Sequence, residues 1–215
     1  NMVRGIDSLP PERLLIPGPV GNLTASLEIP AQGVDAAVLL LHPHPLQGGN
    51  RRNNVVRHGA LGALGAGCAA LRLDFRGAGE SEGAHDEGFG EVEDAGCALE
   101  WLAGRFPGQP LFLWGFSFGS RVGLCFHLSH PGTCSGFLAV GWPTAFYPWP
   151  EGEDWPTPLA FLAGTEDEFV DLNGMDRAMG EGAEFTLVEG ADHFFRGHLD
   201  EVGAFTRDHL LKWLA

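Results

Sequence analysis

A serine framed by two glycines, directly after a short apolar run, constrains this chain more than any other feature. The pentapeptide Gly115-Phe116-Ser117-Phe118-Gly119 follows the apolar segment from Leu111 to Trp114 and precedes a helical pattern of apolar residues, Val122, Leu124, Cys125 and Leu128. This order predicts a buried strand, a very tight turn and a helix. Glycines suit the turn because side chains at the flanking positions would clash with neighbouring chain. Ser117 is therefore the candidate nucleophile, raised above the sheet edge.

The same pattern occurs a second time, as Gly79-Glu80-Ser81-Glu82-Gly83. Ser81 follows the polar stretch 74–78, so no predicted strand enters this segment and no apolar helix leaves it. A neighbouring carboxylate would also oppose the negative charge that develops during acyl transfer. We therefore expect Ser81 to be a loop residue.

Short apolar runs alternate with longer amphipathic ones, which predicts an α/β fold with a mostly parallel, doubly wound sheet. A half-buried antiparallel strand is predicted at one edge, over Leu23 to Ile29, by its alternating pattern. Buried strands are predicted over Ala36–Leu41, Cys68–Leu73, Leu111–Trp114, Phe137–Val140, Leu159–Ala163 and Phe185–Val188. Helices are predicted over Asn53–Ala66 and Glu91–Phe106 and in the segment that begins at Leu199. The length of 215 residues suits one domain, 1–215.

Composition limits the partners. The formal net charge of −15 argues against nucleic acid or an anionic membrane surface as a partner. No apolar stretch approaches the roughly 18 residues of a membrane span, and the first residues lack the apolar stretch of a secretory signal, so we expect a cytoplasmic protein. The cysteines show no metal-ligand spacing and are expected to be free thiols; they are Cys68, Cys97, Cys125 and Cys134.

A serine nucleophile needs a base, which a carboxylate orients. Candidate acids follow the predicted strand 159–163, and chemistry alone leaves four of them open: Glu166, Asp167, Glu168 and Asp171. Candidate bases late in the chain are His193 and His198. His193 is favoured because it stands in a loop three residues after Gly190, whereas His198 already belongs to the last helix.

An oxyanion hole needs two backbone N–H groups that point at the developing negative charge. Phe118, the residue after the candidate nucleophile, is expected to supply one. The other is expected from the loop 42–50, in which Pro43 and Pro45 have no N–H. Leu46 is the first choice for this donor, with His44 and Gln47 as alternatives.

Three motifs in order resemble a family of small, lidless bacterial α/β-hydrolases, related to the serine-esterase and dienelactone-hydrolase branches. They are His42-Pro43-His44-Pro45 with Gly48-Gly49, the segment Phe75 to Gly83, and the Ser117 pentapeptide. The resemblance implies a mostly parallel sheet of seven or eight strands without a cap domain. It also implies that the catalytic groups follow in the order serine, acid, histidine, and its G-x-x-D-x-x-V pattern selects Asp167. Dienelactone hydrolases carry cysteine as nucleophile, so Ser117 argues against that activity.

The expected function is a serine hydrolase, a carboxylesterase that cleaves short-chain esters through an acyl-serine. Ser117 would attack, His193 would shuttle the proton and Asp167 would fix the imidazole. The alternatives are a thioesterase, an aminopeptidase-like amidase with the same catalytic residues, and a non-catalytic binding module. No metal or organic cofactor is implied, and the expected partner is a small-molecule ester, bound by a monomer or homodimer.

The connection Gly141 to Pro158 is rich in proline and tryptophan, so a rigid loop is predicted there and not a helical cap. Aromatic residues are expected near the sheet edge and include Phe118, Phe146, Tyr147, Trp149 and Trp155. The residues predicted to line the substrate pocket are His44, Phe116, Trp142 and Phe194.

Overall fold

The computed structural model describes residues 8–148, 155, 158–178 and 182–215. Its strands are β1 (Glu12–Gly18), β2 (Gly21–Glu28), β3 (Ala36–Leu41), β4 (Cys68–Leu73), β5 (Leu111–Phe116), β6 (Gly136–Val140), β7 (Leu159–Gly164) and β8 (Ala183–Val188). Its helices are α1 (Asn54–Gly65), α2 (Phe89–Arg105), α3 (Phe118–Ser129), α4 (Leu172–Ala178) and α5 (Leu199–Leu214).

All eight strands form one sheet in the order β1-β2-β4-β3-β5-β6-β7-β8. β2 pairs antiparallel with β1 and with β4, and every pair from β4 to β8 is parallel. The predicted mixed α/β sheet is confirmed, including the antiparallel strand near one edge. β1 itself was not predicted, because only Ile16 in it is buried and its hydrophobic signal is correspondingly weak.

The sheet separates two hydrophobic layers. In β3, Val38 and Leu40 pack in the layer that contains α1 and α5, whereas Leu39 and Leu41 pack in the layer that contains α2 and α3. Successive side chains of a strand point to opposite faces, so a strand covered on both faces is apolar throughout. This explains why the central strands are buried along their whole length and almost entirely apolar. The charged residue in them is Arg72 of β4, which pairs with Glu28.

The parallel strands direct their carboxyl ends to one edge of the sheet, where the candidate residues lie. Ser117 follows β5, Asp167 follows β7, His193 follows β8, and His44 lies in the loop after β3. Loops at this edge are the usual binding position in open α/β sheets.

Between β6 and β7, the described residues 141–148, 155 and 158 form turns and irregular chain with no helix. This fits the predicted absence of a cap; the rest of the predicted loop, residues 149–154, 156 and 157, lies outside the described residues. None of the helices in the described part of the chain is both long enough and apolar enough to cross a bilayer.

Candidate active site

Ser117 occupies the strained turn that the sequence predicts. Its backbone has φ 55° and ψ −119°, in a region that residues with a side chain rarely adopt. Its N–H donates to the carbonyl of Val140 at 2.9 Å, which ties the turn to β6. A Cβ on Gly115 would lie 2.3 Å from the carbonyl oxygen of Gly119, and one on Gly119 would lie 2.4 Å from that of Leu41. Both glycines are therefore required by close backbone approach.

The structure brings the three candidate catalytic side chains into one hydrogen-bonded row. His193 Nε2 lies 3.0 Å from Ser117 Oγ, and His193 Nδ1 lies 2.8 Å from Asp167 Oδ2. The Asp167 side chain is fully buried, and its other oxygen accepts the Phe169 N–H at 2.9 Å. With the carboxylate on Nδ1, the neutral imidazole keeps its proton there, and Nε2 is free to accept the serine proton.

Close backbone packing holds the two loops that carry the acid and the base. A Cβ on Gly164 would lie 2.1 Å from the carbonyl oxygen of Ala191, and the Glu166 N–H donates to that same oxygen at 3.0 Å. Gly141, with φ 59°, passes beside the imidazole, so a Cβ there would lie 3.3 Å from His193 Cε1. The positions of Asp167 and His193 thus depend on Gly164, the last residue of β7, and on Gly141, which follows β6.

The residues that compete with these three on sequence grounds lie elsewhere. Glu166 and Glu168 are exposed. Asp171 accepts the Gly174 N–H at 3.2 Å, and His198 pairs with Glu201 at 2.8 Å. His193 is thus the imidazole that contacts Ser117, and Asp167 is the carboxylate that contacts His193.

Ser81, the serine of the second glycine-framed pattern, has a structural position. Its Oγ donates to the carbonyl of Asp74 at 2.7 Å and accepts the Thr24 N–H at 2.8 Å. The hydroxyl joins the loop after β4 to β2.

The hydrogen bonds of the loop after β3 contradict one of the predicted oxyanion donors. The Leu46 N–H donates to Nδ1 of His44 at 3.2 Å, and its side chain is 66% exposed. The Gln47 N–H donates to the carbonyl of His44 at 3.1 Å. Neither N–H is free, so the prediction of Leu46 as oxyanion donor is wrong. The N–H groups of His44 and Phe118 have no hydrogen-bond partner among the described residues.

A cavity of about 560 Å³ opens beside Ser117. The described residues that line it are Pro43, His44, Gln47, Gly48, Gly49, Asn53, Ser117, Phe118, Pro143, Phe146, Tyr147, Phe169, His193 and Phe194. His44 and Phe194 line it as predicted, and so do the aromatic residues Phe118, Phe146 and Tyr147. Among these described lining residues, none is an Asp, Glu, Lys or Arg.

Two residues predicted to line the pocket are instead packing residues. Phe116 is fully buried, with its ring 5.2 Å from the His193 ring. Trp142 is 2% exposed and donates its indole N–H to the carbonyl of Tyr147 at 2.9 Å. Trp155 packs against Phe161 with ring centroids 6.1 Å apart, and Trp149 lies outside the described residues.

Sequence reasoning did not single out Phe169 or Asn53 as lining residues. Phe169 has a usable signal, because it stands two residues after Asp167 and its N–H binds that carboxylate. Asn53 lines the cavity because it caps helix α1, where its Oδ1 accepts the Val55 N–H at 2.9 Å. An asparagine before a helical pattern predicts where the helix begins, but it does not predict that this residue lies near Ser117.

The electrostatics of the lining favour neutral groups. Burial, and then the nearby His85, lower the pKa of His44, so its ring is neutral at pH 7. Its Nδ1 accepts the Leu46 N–H, which leaves the proton on Nε2.

Within the described part of the chain, no group of three or more His, Cys, Asp or Glu side chains is arranged to hold a metal ion. Burial raises the pKa of Cys68 and Cys134 to about 12, so neither is a reactive thiolate.

Comparisons with known proteins identify a family model and a relative that this chain resembles. The model of the serine aminopeptidase S33 family matches residues 34–146. An uncharacterised protein of Rickettsia prowazekii is 32% identical over 206 residues, which cover 90% of this chain and 86% of that protein.

Solved structures give the same relationship. An α/β serine hydrolase homologue from Coxiella burnetii is 31% identical, with a TM-score of 0.85 over 95% of this chain and 97% of that one. An α/β serine hydrolase without a lid from Xanthomonas campestris is 25% identical, with a TM-score of 0.85 over 99% of this chain and 98% of that one. The chain therefore belongs to the serine aminopeptidase S33 family of α/β serine hydrolases.

Proposed function

We propose that this protein is a carboxylesterase that cleaves short-chain carboxylic esters through an acyl-serine intermediate. The observation that carries the proposal is the hydrogen-bonded row of Ser117, His193 and Asp167, at 3.0 and 2.8 Å, beside an aromatic cavity. Ser117 Oγ attacks the ester carbonyl while its proton passes to His193 Nε2. Collapse of the tetrahedral intermediate breaks the ester bond, and His193 returns the proton to the leaving alcohol. Water, activated by His193, then hydrolyses the acyl-serine.

The buried Asp167 carboxylate holds the Nδ1 proton and stabilises the imidazolium that forms in each step. The N–H groups of Phe118 and His44 are the proposed oxyanion donors. Phe118 begins helix α3, where the first backbone donors have no partner within the helix. The helix dipole adds partial positive charge at the same end.

The uncharged cavity wall favours a neutral ester over the alternatives. An aminopeptidase, the activity in the family's name, needs a counter-charge for the substrate's ammonium group, and a coenzyme A thioesterase needs cations for phosphates. The described lining residues supply neither. The aromatic rings suit an apolar acyl or alcohol group. We expect highest kcat/KM for acyl chains of about two to six carbons, because an open site buries limited apolar area.

The first test replaces the nucleophile. Ser117→Ala is expected to abolish hydrolysis of p-nitrophenyl butyrate and labelling by a fluorophosphonate probe, without loss of the folded state. Ser81→Ala is the matched control, because it removes the serine of the other glycine-framed pattern; it is expected to keep kcat while losing some stability. Undiminished turnover in Ser117→Ala would refute the proposal.

The second test is a panel of substrates. The p-nitrophenyl esters of increasing chain length are compared with a p-nitroanilide of an amino acid and with an acyl-coenzyme A. We expect short esters to have the highest kcat/KM. A higher value for the anilide would make the protein an amidase, and activity that rises out to long chains at an oil–water interface would make it a lipase.

A further inference from the structure

A buried histidine binds the peptide unit that carries one proposed oxyanion donor. His42 follows β3 directly and is fully buried. Its Nε2 accepts the backbone N–H of Phe75 at 3.0 Å. A backbone N–H can only donate, so Nε2 carries no proton and the neutral ring must carry its proton on Nδ1. The position of Phe75 thereby selects the tautomer.

With that tautomer, His42 donates to the carbonyl of Pro43, whose oxygen lies 2.7 Å from Nδ1. This carbonyl belongs to the same peptide unit as the His44 N–H. In a trans peptide the C=O and the N–H point in opposite directions. A bond that holds the oxygen on the buried side therefore turns the N–H away from His42, toward the cavity that His44 lines.

Gly49 approaches the same peptide unit. A Cβ on Gly49 would lie 2.1 Å from the Pro43 oxygen, and the Gly49 N–H donates to the His44 carbonyl at 3.0 Å. The loop 42–49 therefore closes tightly on the Pro43 carbonyl. A side chain at position 49 would press on the oxygen that His42 holds.

We propose that His42 is a positioning residue, whose Nδ1–H holds the Pro43–His44 peptide unit with the His44 N–H facing the oxyanion. The proposal rests on the proposed esterase function. His42 contacts neither the nucleophile nor the cavity; it acts through the peptide. If this unit turned over, a carbonyl oxygen would replace the donor and repel the negative charge of the transition state. The loss would appear in kcat more than in KM, because the oxyanion exists only in the transition state.

Two variants each remove one of the two hydrogen bonds of His42 and keep the other. The amide nitrogen of asparagine reaches about the position of Nδ1, so His42→Asn can still donate to Pro43 while it loses the acceptor for Phe75. The amide oxygen of glutamine reaches about the position of Nε2, so His42→Gln can still accept from Phe75 while it loses the donor. Each variant loses one buried hydrogen bond, and their thermal stabilities are compared directly.

We expect His42→Gln to lose about 10- to 100-fold in kcat with KM within about twofold, and His42→Asn to keep most of kcat. The Ki of an alkyl trifluoromethyl ketone, which forms an oxyanion with the serine, should rise in His42→Gln by the factor by which kcat/KM falls. A purely structural role would lower stability without changing this Ki. Gly49→Ala displaces the same carbonyl and should show the same pattern, which keeps the test available if His42→Gln does not fold.

Two results would overturn the proposal: full kcat in folded His42→Gln, or equal losses in both variants with an unchanged Ki. If His42→Gln does not fold, full kcat in Gly49→Ala counts equally against it. Failure of the esterase function itself would be recognised separately, because Ser117→Ala would then remain active or the wild-type protein would prefer the anilide or the acyl-coenzyme A to every ester.

Discussion

At the scale of single residues, the candidate nucleophile has a strained backbone. Ser117 has φ 55°, one of three non-glycine positive φ values among the described residues, together with Glu87 and Phe195. Such a conformation costs about 1–3 kcal/mol and persists only where the surrounding structure imposes it. Here the Val140 carbonyl and the close backbone contacts of Gly115 and Gly119 impose it.

This strain predicts an inversion of the usual order of alanine and glycine. Ser117→Gly should be more stable than Ser117→Ala by about 1 kcal/mol, because glycine tolerates positive φ. At Ser120, inside α3, the order should be the ordinary one, with glycine less stable by about 0.5–1 kcal/mol. Urea unfolding of the four variants measures both differences. Equal stabilities of the two Ser117 variants would mean that no strain is stored there.

A second residue-scale prediction concerns His42 and acid. Burial lowers the pKa of His42 from 6.5 to about 4, against the opposing effects of the Pro43 carbonyl and Asp74. Between these values the unfolded chain binds a proton that the folded chain does not. The free energy of unfolding should therefore fall as pH decreases from 6.5 to 4, by up to about 3 kcal/mol from this group.

The measurement compares wild-type protein with His42→Asn, because other groups titrate in both. The stability difference between the two should narrow as pH falls through this window. A constant difference would show that the pKa of His42 is the same in the folded and the unfolded protein.

At the scale of elements, glycine content sets how closely helices pack. A Cβ on Gly62 of α1 would lie 2.3 Å from the carbonyl oxygen of Gly203 in α5, so these helices meet backbone to backbone. Gly104, in the last turn of α2, has nothing within 4 Å of such a Cβ. The same residue type therefore has opposite roles in two helices.

Alanine at these positions should change stability in opposite directions. Gly62→Ala should destabilise by about 1–3 kcal/mol, because backbone must move to admit the methyl group. Gly104→Ala should stabilise by about 0.5–1 kcal/mol, because alanine has the higher helix propensity. Chemical denaturation measures the change in the free energy of unfolding for each variant. The kcat per folded molecule should be unchanged in both variants. A neutral Gly62→Ala would mean that α1 and α5 can separate without cost.

At the scale of the whole molecule, the charge of −15 is the dominant electrostatic feature. Repulsion among the excess negative charges destabilises the folded state, and salt weakens this repulsion. Buried ion pairs such as Arg51–Asp74 are poorly screened, so salt weakens them much less. At pH 7, raising NaCl from about 0.01 to about 0.15 M should increase the free energy of unfolding, as the Debye length falls from about 30 to about 8 Å.

Near the pI of about 4.8 the net charge vanishes, and the effect of salt should become small. Urea midpoints at both pH values and both salt concentrations give the comparison. A decrease with salt at pH 7 would show that surface ion pairs outweigh the net repulsion.

The sequence alone determined seven of the eight described strands, together with the nucleophile and the base at the sheet edge. Apolar runs such as Leu111–Trp114 report burial directly, and the glycines around Ser117 report a tight turn, because both signals are local. His193 followed because it stands in a loop after a predicted strand, and parallel strands end at one edge. Position alone left four acids open after β7, and only the resemblance to the hydrolase family selected Asp167.

Tertiary structure decided which N–H groups are free and which aromatic rings reach the cavity. The Leu46 N–H is bound to the His44 ring, and the buried Phe116 ring packs against that of His193. The pairing of His42 with Phe75 spans 33 residues. Hydrogen-bond partners and side-chain directions depend on chain segments far apart in sequence, so no local pattern specifies them.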